Sequence, residues 1–335
     1  MKLVQVGVGK MGQTWLKVLA GSDVVDLVGI VEPVEALRNQ AIQTAGLDPA
    51  AGFGSLDDAL AAATFDAAVV VTPPPTHRPI AEQLLKAGKH VLLEKPLATN
   101  LEDAQALVEI AAETGKTLMV AQNYRYFEAF ATARSLIQSD RIGPVRSVTL
   151  EFRRDARTMF GEGDFRYSMN HPLLVDMSIH HFDMIRGLLG SDPKRVYAQS
   201  WHVPDGNFAS DAAASVLITM DDGVVVSYSG NWATHGEDTS WNGDWDIVGE
   251  RGRILWTGGD WTNAEISIQE WGKDPEPVEL VSLGKSGQVG LVADFLVAIE
   301  SGTAPQTSAA DNIRSLGIVL AAVESVETGA VVTFS

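Results

Sequence analysis

The chain of 335 residues contains no cysteine, which excludes disulfides, thiolate metal sites and a thiol nucleophile. No apolar run approaches the roughly 20 residues that a membrane-crossing helix needs, and MKLVQVGVG enters a strand pattern at once, leaving no room for a secretory leader. A cytoplasmic protein with no membrane partner is the expectation. Basic residues are scarce: 25 Lys and Arg stand against 43 Asp and Glu, a formal charge of −18, so the clustered cations that nucleic acid requires are missing. The acidity reads as solubility. There is no internal repeat and no low-complexity tract. With 45% apolar residues, the chain is long enough for two domains, each with its own core.

What is present begins at residues 3 to 12, LVQVGVGKMG, where an apolar run meets Gly7, Gly9 and Gly12 at the spacing of a dinucleotide-binding turn. Each glycine has a physical task. Gly7 allows the tight exit from the strand, Gly9 lets the backbone approach a pyrophosphate, and Gly12 lets the next helix pack close to the sheet. Lys10 and Met11 fall within the same turn. Glu32 lies twenty residues beyond Gly12, at the end of VVDLVGIVE, where a carboxylate accepts the ribose hydroxyls of an adenosine. A 2′-phosphate would meet that carboxylate as a like charge, with no arginine in EPVEA to offset it, so NAD is expected in preference to NADP.

Strand patterns at 67–71, 90–93 and 117–120 alternate with helical stretches, one capped by Ser55 and two closed by glycine. Alternation of this kind predicts an α/β domain over 1–122, a doubly wound parallel sheet with its ligand crevice beyond the strands' carboxyl ends. From 123 to 335 the pattern predicts an α+β domain with a large, mostly antiparallel sheet. It has a helix from Pro172 to Leu189, Asp-Gly turns at 205–206 and 222–223, and closing helices over about 291–326. A sheet of alternating strands needs cover on its outer face, which predicts a homodimer or homotetramer, with the aromatic-rich segment 232–271 supplying much of the contact.

Three further clusters carry chemistry. Glu94, Lys95 and Pro96 follow a strand; the lysine fits either a surface ion pair or a group stabilising negative charge on a substrate oxygen. Thr72, Pro73, Pro74, Pro75, Thr76 and His77 form a rigid loop suited to lining a cofactor groove, with His77 also fitting a cap for the next helix. In the helix at 170–190, Asp176, His180 and Asp183 recur at i, i+4 and i+7 and so share one face. That stripe fits proton transfer or a solvated face; a metal is not expected, because there is no further ligand cluster of comparable quality.

Taken together, GVGKMG, TPPPTH, EKP, NYRY at 123–126 and DxxxHxxD at 176–183 resemble the Gfo/Idh/MocA family, named for glucose-fructose oxidoreductase, inositol dehydrogenase and a rhizopine catabolism protein. The resemblance spans essentially the whole chain. It implies a Rossmann domain, NAD as cofactor, and hydride transfer at a hydroxyl carbon of a sugar, inositol, other polyol or anhydrosugar. It also implies Lys95, Asp176 and His180 as the catalytic trio. Gly7 to Gly12, Glu32, Thr72, Pro73, Pro74, His77, Glu94 and Lys95 would line the cofactor. Tyr124 and Arg125 fit either substrate contacts or hinge packing, and Trp232, His235 and Trp241 are further substrate candidates, since indole faces pack on sugar rings. Two departures stand out: Asn170, His171 and Pro172 replace the family's glycine pair before the aspartate, and Ser178 replaces a glycine after it. A reshaped substrate loop is the consequence. His181, a third of a turn from His180, is assigned to packing or an interface. Two rival activities use the same motifs: a sugar lyase, glycosidase or epimerase with transient oxidation, and a non-catalytic cofactor-sensing regulator.

Overall fold

Short runs of β-branched and leucine residues bounded by glycine or turn residues give the first unit its strands, and amphipathic stretches between them give its helices. In the computed structural model, which describes residues 1–204, 206–259 and 263–334, these are β1 (Lys2–Val6), α1 (Lys10–Ala20), β2 (Asp26–Val31), α2 (Glu35–Ala45), β3 (Gly52–Phe53), α3 (Leu56–Ala62), β4 (Ala67–Val70), α4 (His77–Lys86), β5 (His90–Leu93), α5 (Leu101–Thr114) and β6 (Leu118–Val120). All pair in parallel, in the order β3-β2-β1-β4-β5-β6. The order reverses between β1 and β4, the position at which a doubly wound sheet opens its ligand crevice. Ser55 caps α3 by accepting from the Asp58 amide, and Gly115 closes α5 in the left-handed region at φ 63°.

The second unit contains α6 (Glu128–Gln138), β7 (Val145–Arg153), α7 (Ser178–Leu189), β8 (Pro193–Trp201), β9 (Ala213–Met220), β10 (Val225–Asn231), β11 (Asp244–Gly249), β12 (Gly252–Gly258), β13 (Ala264–Glu270) and β14 (Glu276–Val278). With the terminal β15 (Val332–Thr333) they form one sheet in the order β14-β13-β12-β11-β7-β10-β9-β8-β15. Every pairing is antiparallel except β7 with β10. The turn at Asp222 and Gly223 joins β9 to β10, with Gly223 at φ 90°. Its expected counterpart at 205–206 includes Asp205, which lies outside the described residues.

Three differences from the sequence expectation have physical causes. First, α8 (Gly287–Ser301) and the segment to Ile313 belong to the first compact unit, while Arg314–Ser335 belong to the second, so the division is not a single cut at 122. Thr307 explains the return: its carbonyl accepts from the Val120 amide and its hydroxyl donates to the Val120 carbonyl, covering the edge strand β6. Second, the helix expected from Pro172 opens with a π-helical turn over Leu173–Met177 before α7 begins, and such turns concentrate at functional sites. Third, of the segment 232–271 expected to supply outer contact, Trp232, Trp245 and Trp256 lie in the core, while Trp271 is 50% exposed. Trp245 pairs with Trp256 and Leu150 on the inner face of the sheet, and Trp232 is 2% exposed. Period-2 alternation instead leaves Trp201, Leu217 and Val225 exposed on the opposite face. Trp261 lies outside the described residues. Among the described residues, no helix is long and apolar enough to cross a membrane.

Candidate active site

The glycine turn has the shape that a dinucleotide requires. Gly7 sits at φ +92°, and a Cβ there would meet the Val71 carbonyl oxygen at 2.5 Å; one on Gly12 would meet the Gly7 carbonyl oxygen at 2.5 Å. Neither position can carry a side chain. Gly9, by contrast, faces open space, with nothing within 4 Å of an added Cβ, and it caps the N-terminus of α1 where free amides favour an anion. Lys10 and Met11 are exposed beside it.

Glu32 is 7% exposed, and its carboxylate is fixed by backbone donors: Val8 N at 3.1 Å on one oxygen and Val34 N at 3.0 Å on the other. Each oxygen keeps lone-pair capacity for a ribose hydroxyl. EPVEA holds no arginine, but Arg38, just beyond it, reaches back to Glu32. One turn into α2, its Nη1 donates to the Glu32 carbonyl oxygen at 2.7 Å. These residues fit a nicotinamide dinucleotide, with phosphates at the turn and adenosine toward Glu32.

On the other side of the switch point, Thr72, Pro73 and Pro74 extend from β4, and Glu94, Lys95 and Pro96 extend from β5, with a cis peptide between Lys95 and Pro96. Glu94 is a brace within the unit. Its Oε1 accepts from Trp15 Nε1 of α1 at 2.7 Å and its Oε2 from the Lys95 amide at 3.0 Å. His77 makes no capping bond: its ring is buried between the carbonyl oxygens of Pro96 and Thr72. Trp15 gave no signal in the sequence, because nothing local distinguishes a brace from a core tryptophan.

In the second unit each residue of the expected stripe of Asp176, His180 and Asp183 meets a different partner. Asp176 accepts from Arg166 Nε at 2.6 Å. His180 stacks on Tyr124, ring centroids 4.3 Å apart and nearly parallel at 12°, which fixes the plane of the imidazole. Asp183 is 1% exposed and takes both Arg125 Nε at 2.6 Å and Nη2 at 2.8 Å, with Ser315 donating a third bond at 2.7 Å. Arg125 and Asp183 therefore form a buried ion pair, which accords with the packing alternative for Arg125. His181 is fully buried. Its Nε2 donates to the Trp241 carbonyl, leaving Nδ1 to accept from the Tyr228 hydroxyl, and burial lowers its pKa to about 4.

The remaining substrate candidates divide. Trp232 packs between Phe160 and Phe208 in the core, which removes it as a ligand face. His235 is exposed and faces Arg157. Trp241 is half-buried, with the Arg154 guanidinium 4.6 Å from its ring centroid. Arg166, which contacts Asp176, lies outside every motif and was missed.

Residues 1–122 match the oxidoreductase family model with an NAD-binding Rossmann fold, and residues 130–255 match the GFO/IDH/MocA C-terminal domain. The chain belongs to the Gfo/Idh/MocA oxidoreductase family. An inositol 2-dehydrogenase of Rhizobium meliloti is 26% identical over 96% of this chain and 95% of that relative. A 1,5-anhydro-D-fructose reductase of Ensifer adhaerens is 26% identical over 82% of this chain and 81% of that relative. The fold is shared with an oxidoreductase from Agrobacterium radiobacter solved in complex with NAD+, L-tartaric acid and magnesium. That structure has a TM-score of 0.89 at 20% identity, covering 99% and 98% of the two chains. Like its relatives, the chain is an oxidoreductase with a nicotinamide-dinucleotide-binding domain.

Proposed function

We propose that the protein is an NAD-dependent dehydrogenase that oxidises a secondary hydroxyl of an inositol, another polyol or a sugar. The observation that carries this reading is the pairing of the open cradle at Gly9 with the fixed carboxylate of Glu32, which suits an adenosine ribose with a free 2′-hydroxyl. When bound, the nicotinamide accepts the hydride. His180 accepts the hydroxyl proton, its ring plane set by Tyr124. Asp176, held by Arg166, accepts a hydrogen bond from a neighbouring hydroxyl, and Lys95 donates to the reacting oxygen.

The test is an NAD+-reduction screen over polyols, aldoses and anhydrosugars, with product analysis. Net NADH formation on one substrate supports the reading; product turnover without net NADH selects the transient-redox alternative. His180→Ala should then lower kcat by roughly 10²- to 10⁴-fold with NAD affinity little changed. A wild-type rate in that variant removes His180 from the mechanism. The protein is further proposed to form a homo-oligomer through the sheet face that carries Trp201, Leu217 and Val225. Light scattering of a monomer at micromolar concentration would refute it.

A further inference from the structure

His77 opens α4, and no part of it reaches solvent. Its Nδ1 lies 2.7 Å from the Pro96 carbonyl oxygen and its Nε2 2.9 Å from the Thr72 carbonyl oxygen. Burial lowers the pKa of the ring, while the two carbonyls oppose that shift by favouring a proton on each nitrogen. A carbonyl oxygen only accepts, so any hydrogen bond at either contact is donated by the ring. A side chain present only to fill space would need no polar atoms there; a phenyl ring fills at least as much space and has none of the polarity.

The two carbonyls belong to the two loops at the carboxyl ends of β4 and β5. Pro96 immediately follows Lys95, and on the other side the Lys95 amide is held by Glu94, itself tied to Trp15. The lysine backbone is thus gripped from both directions. The Glu94 grip leads to α1, which follows the glycine turn, and the His77 grip leads to the proline loop, where Thr76 Oγ1 lies 2.7 Å from the Pro73 carbonyl oxygen and 2.8 Å from Thr72 Oγ1.

We propose that His77 is a positioning residue for Lys95, fixing the backbone from which the lysine side chain projects by locking the Pro96 carbonyl against the proline loop. The inference rests on the role given to Lys95 under Proposed function. The ring nitrogens of His77 are both turned to backbone carbonyls, so its action on the lysine is indirect.

Competitive acetylation of lysines in the full chain, read residue by residue with mass spectrometry in the presence and absence of NADH, tests this without turnover. NADH should protect Lys95 in the wild type. In His77→Phe, Lys95 should be acetylated about threefold faster or more and lose its protection, while Lys17 and Lys116 keep their rates. His77→Gln, with one donor of similar reach, should recover part of the effect and stands in if the phenylalanine variant does not fold. On the best substrate of the NAD+ screen, His77→Phe should lower kcat by roughly tenfold or more, yet cause no further loss in a Lys95→Met background. Equal losses in both backgrounds, or unchanged Lys95 labelling, would overturn the proposal. A Lys95→Met enzyme with wild-type kcat, together with no NADH protection of Lys95, would overturn the role of Lys95 itself, a different outcome from the failure of His77 alone.

Discussion

Arg166 donates from Nε to Asp176 Oδ2 at 2.6 Å, and its Nη1 reaches Asp164 at 3.3 Å. Its guanidinium also lies 4.8 Å from the Phe160 ring centroid and 4.5 Å from that of Phe165. Burial opposes the charge on Arg166, but the two carboxylates outweigh it and raise its pKa. Asp176 consequently stands beside a permanent cation, which suits a fixed hydrogen-bond acceptor better than a proton shuttle. Arg166→Met should lower kcat/KM by roughly 10- to 100-fold, with Arg166→Lys recovering part because it restores charge without the planar fork. Steady-state kinetics checks this; an unchanged kcat/KM would separate Arg166 from catalysis.

His181 predicts an acid-sensitive fold. Its folded pKa of about 4 lies below the unfolded value of 6.5, so the unfolded chain binds the proton first as pH falls. The stability it contributes is complete above pH 6.5 and is lost progressively down to about pH 4, a change on the order of 3 kcal/mol. Denaturant melts across that window should show the loss. His181→Gln should flatten the slope relative to wild type, and equal slopes would refute the assignment.

The Arg125–Asp183 pair should be worth more to the fold than to the chemistry. Both side chains are nearly inaccessible, at 6% and 1%, and removing one partner strands a buried charge. Asp183→Asn should destabilise the protein by about 3–5 kcal/mol, measured by urea unfolding. A variant with native stability but no turnover would instead restore Asp183 to the reaction.

Cofactor choice tests Glu32. Wild type should give a higher kcat/KM with NAD than with NADP, and Glu32→Ser should narrow the ratio by removing the like-charge contact with a 2′-phosphate. The nearby Arg38 guanidinium makes the size of that change informative, because it supplies a cation once the carboxylate is gone. A wild-type preference for NADP would overturn the role given to Glu32.

The parts legible in sequence are those fixed by local rules. The glycine turn, the acidic end of β2 and the alternation of strands and helices follow from residues a few positions apart, and the structure contains each of them. The stripe of Asp176, His180 and Asp183 was legible as a motif, but not in its partners. Helical spacing places three side chains on one face, whereas the π turn at Leu173–Met177 and the partners Arg166, Tyr124 and Arg125 are set by tertiary packing. Trp232 shows the same limit: its indole suits a sugar face, and the bend just after β10 places it in the core against Phe160 and Phe208. The return of residues 285–313 to the first unit carries no local mark at all.

That return also sets an order of assembly. The parallel sheet can pair β1 through β6 as soon as residue 120 is made, yet the edge of β6 stays uncovered until Thr307 reaches it, almost two hundred residues later in synthesis. The other sheet waits longer still, for Val332 and Thr333 to close against β8. During translation the chain must therefore carry an unguarded strand edge through the whole of the intervening sequence, the condition under which chaperone capture and edge-to-edge aggregation compete with folding. A chain that stops before residue 307 keeps that exposure permanently.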